Sequence, residues 1–191
     1  MRYIELDEVY SEKAIRKICE EFPFLIPKRN GKIVPDYDYT YLWLEIPAGW
    51  YNLFLQMCGD IKPILEKYNL LNSFEFEQVK EKYNGLRCYH NLDYQNVLAY
   101  EEIERVIDKY EYMAQFVCTR CGDIATHVTH KGWISSYCDE CIGGLKHLDI
   151  LSEIEFKLYY TMIDFNDNES NEVKVSFEDE WNRYKNLIGV E

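Results

Sequence analysis

Four cysteines carry the most specific chemistry in this sequence. Cys118-Thr-Arg-Cys121 and Cys138-Asp-Glu-Cys141 are two CxxC pairs with 16 residues between them. A CxxC turn presents two thiolates on one face of a tight backbone knuckle, and two knuckles supply a tetrahedral S₄ set. The spacing falls in the range of zinc sites, so we expect one structural zinc on Cys118, Cys121, Cys138 and Cys141. A redox dithiol needs only one pair and a thioredoxin-like surrounding, which the sequence lacks. His127 and His130 lie between the pairs. Four thiolates leave them no vacancy, and they read as surface residues of a hairpin.

A closed Cys₄ site argues against zinc catalysis, which keeps one position open for water or substrate. A zinc deaminase would place a ligand two residues before a general-base Glu and add a PCxxC element. Neither is present. A treble-clef nuclease would need a second cation, with His127, His130 and His147 as ligands or general base. That remains a lesser alternative, and the chain reads as a binding protein before an enzyme.

A second constellation flanks Asn84-Gly85, a strong hairpin signal. With those two residues as the loop, Tyr83 pairs with Leu86, Lys82 with Arg87, and Lys80 with Tyr89. Side chains alternate along a strand, so Lys80, Lys82, Arg87 and Tyr89 share one face. Val79, Tyr83, Leu86 and Cys88 take the other, which suits a core. Lys82 opposite Arg87 sets like charges face to face. Either an acidic neighbour from elsewhere in the fold offsets them or the face binds an anion. Phe74 and Phe76 fall out of phase, which a bulge near Gln78 would repair.

The elements that must position these groups follow from periodicity. Residues 8–22 place Ile15, Ile18, Cys19 and Phe22 on one helical face. Pro23, Pro27 and Asn30-Gly31 break the pattern. The run YDYTYLWLEI at 37–46 reads as a strand. Helical spacing returns at 50–68, with a kink possible at Pro63. It returns again at 97–116, with Ile103, Val106, Ile107, Tyr110 and Met113-Ala114 inward. In the cysteine segment, 125–129 and 133–137 form a hairpin, and 142–148 reads as a helix. Residues 151–165 and 178–188 read as helices around a polar loop at 166–171. The expected fold class is therefore α+β. A small antiparallel sheet packs with helices beside a treble-clef or zinc-ribbon-like Cys₄ module. The expected division is an α+β core at 1–117, the zinc module at 118–148, and an acidic helical segment at 149–191 packed on the core.

The chain has 191 residues and a formal net charge of −13. Residues 149–191 hold 11 acidic against four basic groups, whereas 118–148 are balanced at three of each. That total repels free polyanions at long range. It makes nucleic acid a secondary partner and a protein with a basic surface the primary one, met by carboxylates such as Glu178, Asp179 and Glu180. Cys19, Cys58 and Cys88 lie apart in apolar stretches and read as buried thiols of a reducing compartment. No secretory leader opens the chain, and no apolar run approaches the roughly 20 residues of a membrane span. We expect a cytoplasmic protein.

The segments GWYNLFLQMCGDI (49–61), QVKEKYNGLRCYH (78–90), CTRCG (118–122) and WISSYCDEC (133–141) together resemble a family of small uncharacterised phage and prophage proteins. Its members pair a GW-helix and a KEKxxGLRxY hairpin with a carboxyl-terminal CxxC…CxxC module. The resemblance covers residues 41–142 and implies a phage-derived protein acting in the host cytoplasm, without implying any reaction. The expected function is a non-enzymatic zinc-stabilised protein that engages a host or phage protein, one form of which is a counter-defence inhibitor. The alternatives are a nucleic-acid-binding zinc protein and, less favoured, a metal-dependent nuclease.

Overall fold

Eight consecutive residues of helix α2 (Tyr51–Lys67), from Tyr51 to Cys58, are buried. A helix apolar on one stripe lies at a surface, whereas one buried all round forms the centre of a core. From Ile61 and Leu65 onward only one face is buried. The chain enters α2 through a short 3₁₀ turn at Ala48–Trp50 and continues through Pro63 without interruption. The structure, a computed structural model, describes residues 12–26, 28–29, 32–33, 46–92, 94–129, 134–143, 182 and 185–186.

Helix α3 (Val97–Ala114) packs along α2 and buries Ala99, Ile103, Ile107, Tyr110, Met113 and Ala114. These steps of three and four residues are the face expected from periodicity, except that Val106 is only partly buried. Polar groups fix the register of the two helices. The Tyr110 hydroxyl donates to Asp60 Oδ2 at 2.7 Å, and Lys67 and Tyr68 both reach Glu102, at 2.7 and 2.8 Å. Helix α1 (Glu12–Glu21) adds Ile18 and Cys19 to the same core. Beyond it Phe22, Phe24, Phe54, Phe74 and Phe76 form a continuous aromatic cluster. Its Phe74–Phe76 and Phe24–Phe74 contacts are edge-on at 5.1 and 5.7 Å. That geometry suits the ring quadrupole.

The described strands form three antiparallel two-stranded ribbons. Strands β1 (Lys28–Arg29) and β2 (Lys32–Ile33) flank Asn30-Gly31, where the sequence reading saw only a break. Strands β3 (Phe76–Lys82) and β4 (Gly85–His90) form the expected hairpin in a different register. Lys80 faces Arg87, Lys82 faces Gly85, and the turn residues are Tyr83 and Asn84 with φ of 52° and 63°. The cause is local. Asn84 is fully buried and donates its N–H to Glu81 Oε1 at 2.7 Å, which pins it inside the turn. Both strands slide by one residue, so Lys80, Lys82, Arg87 and Tyr89 keep a common face. Tyr83 does not join the core side as expected: it is 69% exposed. The bulge falls between Phe76 and Gln78, where the phase of Phe74 and Phe76 required it.

Strands β5 (His127–Thr129) and β6 (Ser135–Tyr137) form the hairpin of the cysteine segment, each beginning two residues later than expected. The short helix α4 (Asp139–Ile142) begins three residues earlier than expected, so that Cys141 lies within it. The architecture is α+β. Of the strand expected at 37–46 only Ile46 is described, as a bend; the rest of it, residues 130–133 and most of the carboxyl-terminal segment lie outside the described residues. Asn182, Lys185 and Asn186 are helical.

Helix α3 also covers the outer edge of β4. Glu111 accepts the Cys88 backbone N–H at 2.7 Å and pairs with Arg87 at 3.2 Å. An edge strand left open is a template for unwanted pairing, and a carboxylate docked on it removes that risk. Burial acts most strongly on Glu111 and raises its pKa above the ordinary 4.5, against the opposing pull of Cys88 N–H and Arg87. The folded state therefore holds this proton more tightly than the unfolded state. The group's contribution to stability must fall as pH rises through the window that starts at the ordinary value. Replacing Glu111 by Ala orphans the Cys88 N–H and should cost about 1–3 kcal/mol in urea denaturation. Relative to Glu111→Gln, which keeps an acceptor but no charge, the wild type should lose stability as pH rises above the ordinary carboxyl value of 4.5. An advantage that grows with pH would contradict the dominance of burial.

Candidate metal centre

The backbone builds the first knuckle from Val117 to Ile124. These two residues pair as an isolated antiparallel bridge, and Cys118 N–H donates to Asp123 O at 2.7 Å. Gly122 N–H returns to Cys118 O at 3.0 Å with φ at 84°. That is left-handed backbone a side chain would resist, which explains Gly directly after CxxC. The second knuckle is a helix start. Cys138 is the N-cap of α4, and Ile142 N–H donates to Cys138 O at 3.0 Å, bringing Cys141 round by one turn. The β5–β6 hairpin lies between them and ties them together. Ser136 O accepts the Thr119 N–H at 2.9 Å and its hydroxyl at 3.1 Å, while Ser136 Oγ donates to Gln115 O at 2.7 Å.

These turns bring the Sγ atoms of Cys118, Cys121, Cys138 and Cys141 within 4.8 Å of one another, with Cys121 and Cys138 3.5 Å apart. Tetrahedral thiolates at about 2.3 Å from a central ion stand about 3.8 Å apart. The four sulfurs therefore fit one metal ion, and the order of knuckle, hairpin, knuckle and helix matches the expected module. Cys118 and Cys138 are buried, and Cys121 and Cys141 are half-buried.

The electrostatics of the cluster also favour a cation. Burial opposes the Cys118 thiolate, but backbone groups of Cys121, Cys138 and Arg120 aimed at its sulfur hold its pKa below the ordinary thiol range. At Cys121 burial leads, and the Cys118 charge adds to it, so ionisation is opposed. Cys141 is pushed up to about 12, again first by burial. One thiolate forms readily and its neighbours resist, a repulsion that a divalent ion at the centre would relieve.

Neither described histidine, His90 or His127, belongs to the four-sulfur group. His127 Nε2 lies 2.7 Å from Asp139 Oδ1, and Thr126 Oγ1 donates to the same oxygen at 2.8 Å. These two contacts hold the exposed Asp139 carboxyl below its ordinary pKa. His90, at the end of β4, accepts the Leu92 N–H on Nδ1 at 3.2 Å and presents Nε2 to Glu104 at 2.6 Å. Both of its ring nitrogens are engaged within the fold, a structural role rather than that of an available base. His130 and His147, and the acidic residues Glu178, Asp179 and Glu180, lie outside the described residues. Of the basic hairpin face, Arg87 pairs with Glu111, the internal acidic neighbour that the sequence reading allowed. Lys80 Nζ donates to Gln78 Oε1 at 2.7 Å and lies 5.4 Å from the Tyr89 ring centroid. Lys82 lies 5.6 Å from that of Tyr83.

Sequence reasoning missed the residues that join this module to the core. Gly49 N–H donates to Thr119 O at 3.0 Å, and Trp50 Nε1–H donates to Val117 O at 2.9 Å in a fully buried contact. A Cβ on Gly49 would stand 2.1 Å from Cys118 O and 2.6 Å from Gly122 N. Both are backbone atoms of the knuckle itself, so nothing there can step aside. The GW dipeptide ahead of α2 was visible, but its partners lie some 67 residues away in the chain.

Gly49 and Trp50 should therefore act as positioning residues for sulfurs they do not touch. Gly49→Ala is expected to cost about 2 kcal/mol or more, and Trp50→Phe about 1–3 kcal/mol for the orphaned carbonyl. Both variants should surrender bound metal to a colorimetric chelator at lower chelator concentration than wild type. Wild-type metal retention in folded Gly49→Ala would contradict the clamp. No family model, curated protein or solved structure matches the chain, so the assignment of the centre rests on its sulfur geometry.

Proposed function

We propose that the protein is a zinc-stabilised, non-enzymatic binding protein that engages another protein. The observation that carries this reading is the four-sulfur cluster clamped to the start of the central helix. All four coordination positions are filled by the chain, and a site of that kind cross-links a fold without activating water. An all-thiolate tetrahedral set selects zinc or iron, and two CxxC pairs at this spacing favour zinc. When bound, zinc supplies folding free energy and no reaction chemistry.

The resemblance to small phage and prophage proteins and the seven free cysteines support an origin in phage and action in a reducing cytoplasm. Among the described residues no helix is long and apolar enough to cross a membrane. The net charge of −13 supports a protein partner over free nucleic acid. The acidic carboxyl-terminal segment then adds long-range attraction toward a basic surface, and inhibition of a host defence protein is one form this takes. Nucleic-acid binding is the second reading, favoured by the exposed Lys82 and Tyr83 at the hairpin tip.

Elemental analysis of protein purified without chelators should give one zinc per chain. Cys138→Ser should lower metal content and thermal stability together. Well under half an equivalent of zinc, or iron in its place, would refute the zinc assignment. Little affinity for duplex DNA is expected near physiological salt, and a salt-dependent gel shift at submicromolar protein would instead promote the nucleic-acid reading.

A further inference from the structure

The tip of the β3–β4 hairpin holds an exposed aromatic residue in a conformation that aromatic residues avoid. A two-residue turn with positive φ at both central positions is filled at lowest cost by Asn, Asp or Gly. Tyr83 takes the first position at φ 52° and Asn84 the second at φ 63°. Left-handed backbone is strained for a bulky side chain, and burial does not compensate, because Tyr83 is 69% exposed. A slide of one residue per strand would have placed Asn84-Gly85 in the turn. The fold instead buries Asn84 completely and holds the ring outward. Strain retained at a solvent-facing side chain marks a position kept for use rather than for stability.

The tip belongs to a patterned face. Tyr83 and Tyr89, the latter 45% exposed, each carry a lysine ammonium near the ring, Lys82 at 5.6 Å and Lys80 at 5.4 Å. Arg87 stands opposite Lys80, and Glu111 holds its guanidinium in place. Tyr and Arg are the side chains that dominate the energetics of protein interfaces, and ammonium groups beside rings present charge and apolar surface together. We propose that this hairpin face is the docking surface for a carboxylate-bearing segment of a partner protein. In it Tyr83 and Tyr89 are the aromatic anchors, and Lys80, Lys82 and Arg87 receive the carboxylates. Charge complementarity selects the occupant. A nucleic acid brings many negative charges toward a molecule of net charge −13, whereas a short peptide brings a few. The inference rests on the binding-protein reading and adds a second contact to it: the partner carries a carboxylate-bearing segment for the hairpin besides the basic surface that faces the acidic carboxyl-terminal segment.

The probes are a fluorescent hexaglutamate peptide and a short fluorescent oligothymidylate, titrated by anisotropy at low salt. Hexaglutamate should bind wild type, and Lys80→Ala with Lys82→Ala should weaken it by about tenfold or more, an effect that shrinks as salt rises. Tyr83→Asn separates use from structure. It should raise the melting temperature by about 2–4 °C, because Asn tolerates left-handed backbone, while weakening peptide binding. No hexaglutamate binding, or equal binding by both variants, would overturn the proposal. So would a fall in melting temperature for Tyr83→Asn, which would make the ring a packing residue. Tighter binding of oligothymidylate than of hexaglutamate would give the face to nucleic acid and overturn it as well. Affinity capture with immobilised wild type and Tyr83→Asn distinguishes the two levels. A partner captured equally by both removes this surface and leaves the binding-protein reading standing. Capture of no partner by either removes the reading on which the surface rests.

Discussion

The contact of Gly49 with the backbone of the first cysteine knuckle is the constraint around which the described fold is arranged. A hydrogen in place of a side chain lets the entry to α2 lie directly on Cys118 O and Gly122 N. The Trp50 indole then reaches Val117 O from the buried side. Because α2 is buried all round for its first two turns, a shift of the knuckle cannot be absorbed by a loop. It must move the helix on which α3 and the aromatic cluster pack. Close-packed interiors transmit such displacements rather than damping them. The four cysteines therefore hold more than their own hairpin.

How far the sequence foretold this depends on the range of the interactions involved. The four-cysteine cluster was legible because both CxxC pairs are local patterns whose chemistry fixes their spacing. Helices α2 and α3 were legible because periodicity reports burial one turn at a time. The β3–β4 face survived an error in its register, since sliding both strands by one residue moves the turn but leaves each side chain on its side of the ribbon. Predicting that slide required knowing that Asn84 would be buried against Glu81, a tertiary preference that overrode the usual Asn-Gly turn. The β1–β2 ribbon escaped because two-residue strands carry no alternation to read. The Gly49–Trp50 clamp escaped because nothing near residue 49 refers to residues 117–122.

The sulfur cluster and the hairpin tip differ in their surroundings. The sulfur cluster is partly buried and tied inward to the start of the central helix. The hairpin tip is exposed, strained at Tyr83 and charged. Glu111 links them indirectly, since α3, which packs on the central helix, also anchors Arg87 and closes the edge of β4. In the proposed reading the core is a rigid platform and the hairpin is the face it presents.

The dependence of the core on the four-cysteine centre can be read directly by native-state hydrogen exchange at the backbone amides of α2, in metal-loaded protein and after treatment with a chelator. If the knuckle positions the helix, protection should fall from Leu53 through Cys58 together with that of Thr119 and Gly122, as one cooperative unit. Loss of protection confined to residues 117–142, with α2 unchanged, would contradict it and reduce the cysteine module to an independent appendage.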